Sequence, residues 1–422
     1  STYHADLAWR GGDSAVANVR FEVANGVIAS VTDGVAMQAG DEHIAGVVMP
    51  GLVNAHSHAF HRALRGRTHG GGGDFWSWRR PMYDIDNALT PENYAELSAL
   101  VYAEMALAGI TGVGEFHYVH HDRDGASYSD PNEMGLAVVQ AAHQAGIRLA
   151  LLDVAYLHAG LDQSDPLPEQ RRFADRNIES WLDRVDRLGE GGNGWTVGLA
   201  PHSVRAVHPD ELDEVVGARY GRVVHLHVSE QPAENLACLA VTGKTPTAVL
   251  AEVGLLGPFA TAVHATHLTR GDIELLGTSK TTACMCPTTE RDLADGIGPA
   301  SALVRAGAML AFGSDSHATI DLFEEARAVE YNERLIAARR GLHRSGDLLA
   351  AATSGGAHSL GWCDQGIQFG IQPGIPADFI AISLDSVRLA SFSSDCGAAH
   401  IVYAAAPADV RDVWVGGNRI VE

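Results

Sequence analysis

The sequence predicts an α/β chain: a (β/α)8 barrel carrying a small β-sandwich assembled from both termini. Three observations lead there. From about residue 47 onward, a short β-rich run, a loop and a helix-like segment follow one another eight times, over somewhat more than the ~250 residues usual for such a barrel. Both ends of the chain read differently, as strands broken by turn residues. Histidines and acids recur where the predicted barrel strands end, the rim at which barrel enzymes place their chemistry.

Taken in order, Ala15–Val35 is strand-like, with Ala24-Asn25-Gly26-Val27 as a hairpin signal, because Asn-Gly accepts the positive φ of a tight turn. The barrel strands are predicted at Val47–Asn54, Gly109–Phe116, Ile147–Tyr156, Trp195–Ala200, Arg222–Val228, Ala260–Ala265, Thr281–Met285 and Met309–Gly313. Thr90 as N-cap, Pro91 at the first helical position and Gly109 as terminator bound one helix; Asp130, Pro131 and Gly146 take the same roles in the next. Asp378–Val421 is again strand-like, with Val415-Gly416-Gly417-Asn418 as its hairpin. The expected division is residues 1–46 with 362–422 in the composite sandwich, and 47–361 in the catalytic barrel. Gly70–Gly73, just before Phe75, Trp76 and Trp78, reads either as the hinge of an aromatic lid or as a plain mobile loop.

Composition narrows the function classes. The chain has 422 residues, 46% hydrophobic and 19% charged, the profile of a globular protein with ample core. No apolar stretch approaches the ~18 residues of a membrane span, and the first residues, STYHADLAWRGGD, lack the basic-then-apolar layout of a signal peptide. A cytoplasmic location is expected, and five scattered cysteines fit a reducing compartment. Cys284 and Cys286 share a strand face and read as buried core thiols. A net charge of −22 repels nucleic acid and anionic membrane, so the expected partner is a small molecule. An anionic substrate must then meet locally placed arginines.

The 21 histidines are the outlier. In Asn54-Ala55-His56-Ser57-His58 the two imidazoles point the same way, because alternate side chains of a strand share a face. His227 ends the fifth predicted strand and Asp315, in Gly313-Ser314-Asp315-Ser316-His317, ends the eighth. Three imidazoles and one carboxylate at one rim form a metal quartet with room for water, the open coordination of a catalytic site. Each residue alone is better explained as a hydrogen-bonded core His or a helix cap; four together at strand ends are not. Glu230, three residues past His227, is placed to shuttle protons, and His264, ending the sixth strand, to polarise a substrate. His225 and His267 read as supporting or core histidines. The two lysines, Lys244 and Lys280, do not follow the fourth strand, where a carboxylated lysine would bridge two metals; His202 stands there instead, and one metal is expected.

With His56, His58, His227, Glu230, His264 and Asp315 in this order, the chain resembles the amidohydrolase superfamily in its mononuclear deaminase branch. Phe75-Trp76-Ser77-Trp78-Arg79, Glu115-Phe116-His117-Tyr118-Val119-His120-His121, His202-Ser203-Val204-Arg205 and Asp295-Gly296-Ile297 look like the formimidoylglutamate deiminases of histidine degradation. The resemblance implies one Zn2+ per subunit on His56, His58, His227 and Asp315, with Fe2+ suited to the same set. It also implies catalysis by Glu230, His264 and Asp315, a substrate grip from His61, Arg79, Tyr118, His202 and Arg205, and a homodimer. His61 is a departure, since the family pattern has Gln there. The implied reaction is hydrolysis of N-formimino-L-glutamate to N-formyl-L-glutamate and ammonia. Two guanidiniums match a substrate with two carboxylates. The alternatives are a purine or pyrimidine deaminase using the same quartet, for which Arg79 and Arg205 would be out of place, and a non-catalytic scaffold, against which the complete ligand set argues.

Overall fold

Eight parallel strands form the barrel, at Leu52–Ser57, Ile110–His117, Arg148–Ala155, Trp195–Pro201, Val224–Val228, Ala260–His264, Thr282–Met285 and Met309–Phe312. The eighth returns to the first through a parallel bridge between Ser57 and Asp315. The Asp315 N–H donates to the His56 carbonyl at 3.0 Å and the His58 N–H to the Asp315 carbonyl at 3.1 Å. The computed structural model describes residues 1–69, 75–363 and 369–422, and the side chains of all of these except 75–77. The glycine run at 70–73 therefore lies outside the described residues; Phe75 opens the helix Phe75–Asp86.

The predicted first strand needs one correction. Val47–Asn54 is not a single barrel strand: Glu42–Pro50 belongs to the terminal sheet, and the barrel strand begins at Leu52. Between them Pro50 has no N–H to continue a ladder. At Gly51 an added Cβ would lie 2.2 Å from the Thr111 hydroxyl, so the chain crosses tightly against the second strand. The helix Pro91–Leu107 starts as expected: Thr90 Oγ1 accepts from Asn93 N, Asn93 Oδ1 accepts from Thr90 N, and Gly109 has φ +84°. The next helix runs Glu133–Ala145, with Asn132 rather than Asp130 as its N-cap residue. Asp130 instead accepts from the Asn132 N–H, forming a turn ahead of the helix; Gly146, φ +77°, ends it as predicted.

The termini do combine into one unit, a seven-stranded mixed sheet that includes Thr2–Ala8, Val16–Ala24 and Val27–Thr32 from the N-terminal side and Phe379–Ile382, Val410–Val415 and Asn418–Val421 from the C-terminal side. Both predicted hairpins are present, with positive φ at Asn25, Gly26, Gly416 and Gly417. Phe21 and Phe379 stand three strand steps apart in this sheet, ~14 Å if it were flat. Their ring centroids are 5.1 Å apart, so the sheet curls over a core of its own with Tyr3 and Trp414. The sequence had masked one element here: the helix Gly397–Ala404 lies inside the stretch read as strand-like. No helix among the described residues is long and apolar enough to cross a membrane.

Candidate active site

The site grows from strand ends. His56 and His58 close the first barrel strand, and their rings, with 4.7 Å between centroids, turn to the same side. His227 Nε2 lies 3.2 Å from His56 Nε2, and Asp315 Oδ1 lies 3.3 Å from both His56 Nε2 and His58 Nε2. Carbonyl groups set two of the tautomers. His58 Nδ1–H donates to Phe116 O at 3.0 Å and His227 Nδ1–H to His202 O at 3.2 Å, which leaves each Nε2 with a lone pair facing the common centre. Burial keeps the three rings neutral, taking His58 down to about 3 with His56 adding to the effect. Burial would raise the Asp315 carboxyl, but the hydrogen bond and charge of His56, with His264 and His58 beside it, hold it well below the usual carboxylate range. Three neutral imidazoles and an ionised carboxylate pointing at one spot are a donor set that fits a divalent metal. Ring nitrogens of His264 and the Cys286 thiol also come within donor distance of parts of this cluster.

The backbone around the quartet is unusual. Ser229, His264, Ala265, Asp315 and His317 all have φ between +44° and +68° although none is glycine, and all follow or end the fifth, sixth and eighth strands. At Gly313 an added Cβ would meet His56 Cβ and O at 2.8 Å, so only glycine lets the eighth strand approach the first so closely. A one-way hydrogen-bond relay then ties the two strands together. Ser314 N–H donates to Asn54 Oδ1, which turns the Asn54 amide N–H to the Ser314 hydroxyl; Ser314 donates to His317 Nδ1, His317 Nε2–H to Ser57, and Ser57 to Glu115 at 2.5 Å. Glu115 also accepts the Ala59 N–H, so its carboxylate braces both sides of His58. Burial pushes Glu115 up to about 7.

His264 sits between carboxylates: Nε2 is 3.7 Å from Glu230 and 3.8 Å from Asp315, and Nδ1 is 3.5 Å from Glu290. Burial would lower this imidazole, but Glu230, Glu290 and Asp315 hold it well above its ordinary value. Burial raises Glu230, with His264 opposing and Asp315 adding to the rise. Of the eleven residues singled out in the sequence, ten line one pocket and His56 lies just beneath it. His61 Nε2 is 2.7 Å from the Tyr118 hydroxyl, and its ring packs on Trp78. His202 Nδ1 is 3.1 Å from Ser203 Oγ. Arg205 makes no ion pair among the described residues, and its buried Nε has no hydrogen-bond partner. Arg205 is therefore not held in a surface ion pair.

Sequence reasoning missed Glu290, Tyr156 and Gln170, and gave Glu115 no role of its own although it opens one of the motifs. Glu290 stands in Cys286-Pro287-Thr288-Thr289-Glu290, four residues into a helix with no pattern that would single it out. Cys284 and Cys286 are buried beneath the site with Ala55, Val263 and Ala311, as the core reading expected. His225 donates to the Ser359 carbonyl at 2.7 Å and His267 to the Asp295 carbonyl at 2.7 Å, both in supporting positions.

Residues 47–420 match the amidohydrolase family, and residues 16–45 match the N-terminal domain of formimidoylglutamate deiminase HutF. The formimidoylglutamate deiminase of Pseudomonas aeruginosa is 38% identical over 418 residues, 96% of this chain and 91% of that one. The chain belongs to the formimidoylglutamate deiminase family of amidohydrolases. Among solved structures, an amidohydrolase from Brucella melitensis matches with a TM-score of 0.92 and 35% identity, covering 100% of this chain and 94% of that one. An adenosine deaminase from Xanthomonas campestris with bound zinc matches with a TM-score of 0.83 and 25% identity, covering 100% and 92%. Family membership makes this chain a hydrolase acting on a C–N bond.

Proposed function

We propose that the chain hydrolyses the formimino C=N bond of N-formimino-L-glutamate, giving N-formyl-L-glutamate and ammonia, a step of histidine degradation. One observation carries the reading: a pocket that opens over the donor quartet also holds two guanidiniums, Arg79 and Arg205, in a chain of net charge −22. Two cations gathered inside an acidic protein call for a substrate with two anionic ends. The named relative in Pseudomonas aeruginosa supports the same substrate.

His56, His58, His227 and Asp315 would hold one Zn2+ or Fe2+, which when bound supplies the Lewis acidity that makes water nucleophilic near neutral pH. Asp315, kept ionised beside the imidazoles, takes the proton of the attacking water. Its Oδ2 lies 3.8 Å from His264 Nε2, so the cationic His264 steadies the charge moving between them. Glu230, 3.7 Å from the same nitrogen on the pocket side, delivers its proton to the imino nitrogen, takes the hydroxyl proton of the resulting adduct and passes it to the leaving amine as ammonia departs; the proton held by Asp315 then recharges Glu230. Arg79 and Arg205 hold the two carboxylates, with Tyr118, His61 and His202 lining the space between them and the quartet. His61 in place of the family's Gln keeps a hydrogen-bonding group facing Tyr118.

A heterocycle deaminase is the second reading, favoured by the aromatic wall of Trp78, Tyr83, Tyr156 and Phe173. The deciding experiment is ammonia release across formiminoglutamate, formiminoaspartate and a purine panel. Formiminoglutamate should exceed every base by orders of magnitude; turnover confined to a base overturns the reading. The proposal extends to a cytoplasmic homodimer, as the family implies, and the exposed Leu236 and Leu239, neighbours on one face of the helix Pro232–Thr242, support a covered face there.

A further inference from the structure

The pocket wall contains a tyrosine whose proton meets no acceptor among the described residues. Tyr156 follows the third barrel strand, is 2% exposed and lines the pocket. Its hydroxyl oxygen lies 2.9 Å from Gln170 Nε2 and 3.3 Å from Arg79 Nη2. The orientation of the Gln170 amide follows from its other end, because Oε1 accepts the Leu167 backbone N–H at 2.9 Å, a group that can only donate. The face toward Tyr156 is therefore the NH2, which also reaches the Tyr83 hydroxyl at 3.3 Å. Guanidinium and amide NH2 are donors without acceptor capacity. Both must be received by the phenolic oxygen, which uses its two lone pairs and leaves the O–H as an outward donor. The rings of Phe173 and His202, with centroids 5.9 and 4.9 Å away, hold the tyrosine edgewise so that it does not swing from this position.

We propose that Tyr156 is a further specificity-determining residue of this pocket, donating its O–H to the substrate carboxylate that Arg79 receives, with Gln170 as the positioning residue that turns that proton inward. The inference rests on the proposed function in taking the ligand to be a carboxylate. The chemistry is complementary: a carboxylate is an acceptor only, and a guanidinium beside a neutral O–H donor offers it two directions of approach. Gln170 never touches the substrate. Its role is to occupy the Tyr156 lone pair with a donor.

Steady-state kinetics on purified holoenzyme test this with Tyr156→Phe, Gln170→Glu and the double variant. Tyr156→Phe keeps the ring and its packing, and should lower kcat/KM for formiminoglutamate about 10- to 100-fold, as expected for losing a hydrogen bond to a charged group. The loss should fall mainly in KM and be matched by weaker inhibition by N-formyl-L-glutamate. N-alkyl formamidines without carboxylates should be affected less than about threefold, within the scatter of a surface change. Gln170→Glu turns the donor into an acceptor, keeps the Leu167 bond and draws the Tyr156 proton away, so it should reproduce the loss with the hydroxyl still present. The double variant should then fall no further than Gln170→Glu alone. Wild-type inactivity on formiminoglutamate overturns the proposed function and this role with it. An active wild type with Tyr156→Phe unchanged in KM, or with equal losses on charged and uncharged substrates, overturns the role of Tyr156 alone. Additive losses in the double variant overturn the role of Gln170.

Discussion

Replacing Arg205 by Met removes the pocket cation whose surroundings leave it most available. Its buried Nε has no partner among the described residues, and no carboxylate pairs with it within 4.0 Å, so its capacity is free for a ligand. A substrate carboxylate left unpaired in this buried pocket costs about 2–5 kcal/mol. At ~1.4 kcal/mol per decade, kcat/KM for formiminoglutamate should fall roughly 30- to several-thousand-fold. A second effect acts through the protein itself. Burial raises Glu234 to about 7 and raises Glu230, and the Arg205 charge opposes both rises. Losing that charge raises both further, which leaves Glu230 protonated to higher pH. Arg205→Lys separates the two effects, since it keeps the charge but not the planar fork. It should restore the pH profile more fully than the substrate affinity. The assay is ammonia release from formiminoglutamate and from a formimino compound lacking the matching carboxylate. The truncated compound should be poor for wild type and little worse for the variant; equal slowing of both refutes the carboxylate grip.

Three further outcomes follow from the same geometry. Glu230→Gln should keep metal and fold while losing about 10²–10⁴ in kcat; near-normal turnover with metal content intact would mean that the proton shuttle is another group. Chelation should abolish activity and lower Tm, with both restored by Zn2+ or Fe2+, because a ligand bound only to the native state stabilises it by mass action; full activity in protein stripped of metal, measured by elemental analysis, rules the quartet out as a catalytic metal site. Asp86 is fully buried, its carboxyl oxygens lack hydrogen-bond partners, and burial pushes it up to about 7 against the pull of Arg172 at 3.6 Å. Its folded pKa lies above the unfolded ~3.9, so the stability it contributes is fully present below about pH 4 and lost as pH rises through about 7. Asp86→Asn cannot ionise, so thermal melts from pH 5 to 8 should show wild type losing Tm relative to the variant as pH rises; parallel curves contradict a neutral Asp86.

The parts of the fold that were legible in the sequence are those governed by near neighbours. Strand alternation brings His56 and His58 to one side, Asn25-Gly26 and Gly416-Gly417 carry the positive φ of two hairpins, and Thr90-Pro91 caps a helix with Asn93 three residues on. The misreadings have equally local causes. Asp130-Pro131 has the signature of a helix start, yet the Asp side chain is taken by the Asn132 N–H and the helix begins later. Val47–Asn54 is one apolar run, and neither Pro50 nor Gly51 announces that the chain changes sheets there.

Sequence also gathered the candidate site residues: residue type and strand-end position brought out the quartet, Glu230 and His264, the resemblance added the two arginines, and the fold brings all of them to one pocket or just beneath it. The tertiary structure alone decided how those groups are charged and where their protons point. Glu230 and Asp315, past two different strand ends, and Glu290, in the helix after the seventh strand, hold His264 well above its ordinary value, while burial lowers three other imidazoles a few ångströms away. The outward Tyr156 proton depends on Gln170, whose own orientation depends on the Leu167 N–H. Local periodicity is written in spacings of two to four residues. Desolvation and hydrogen-bond direction depend instead on groups separated by tens to hundreds of residues, and they acquire values only once the barrel closes.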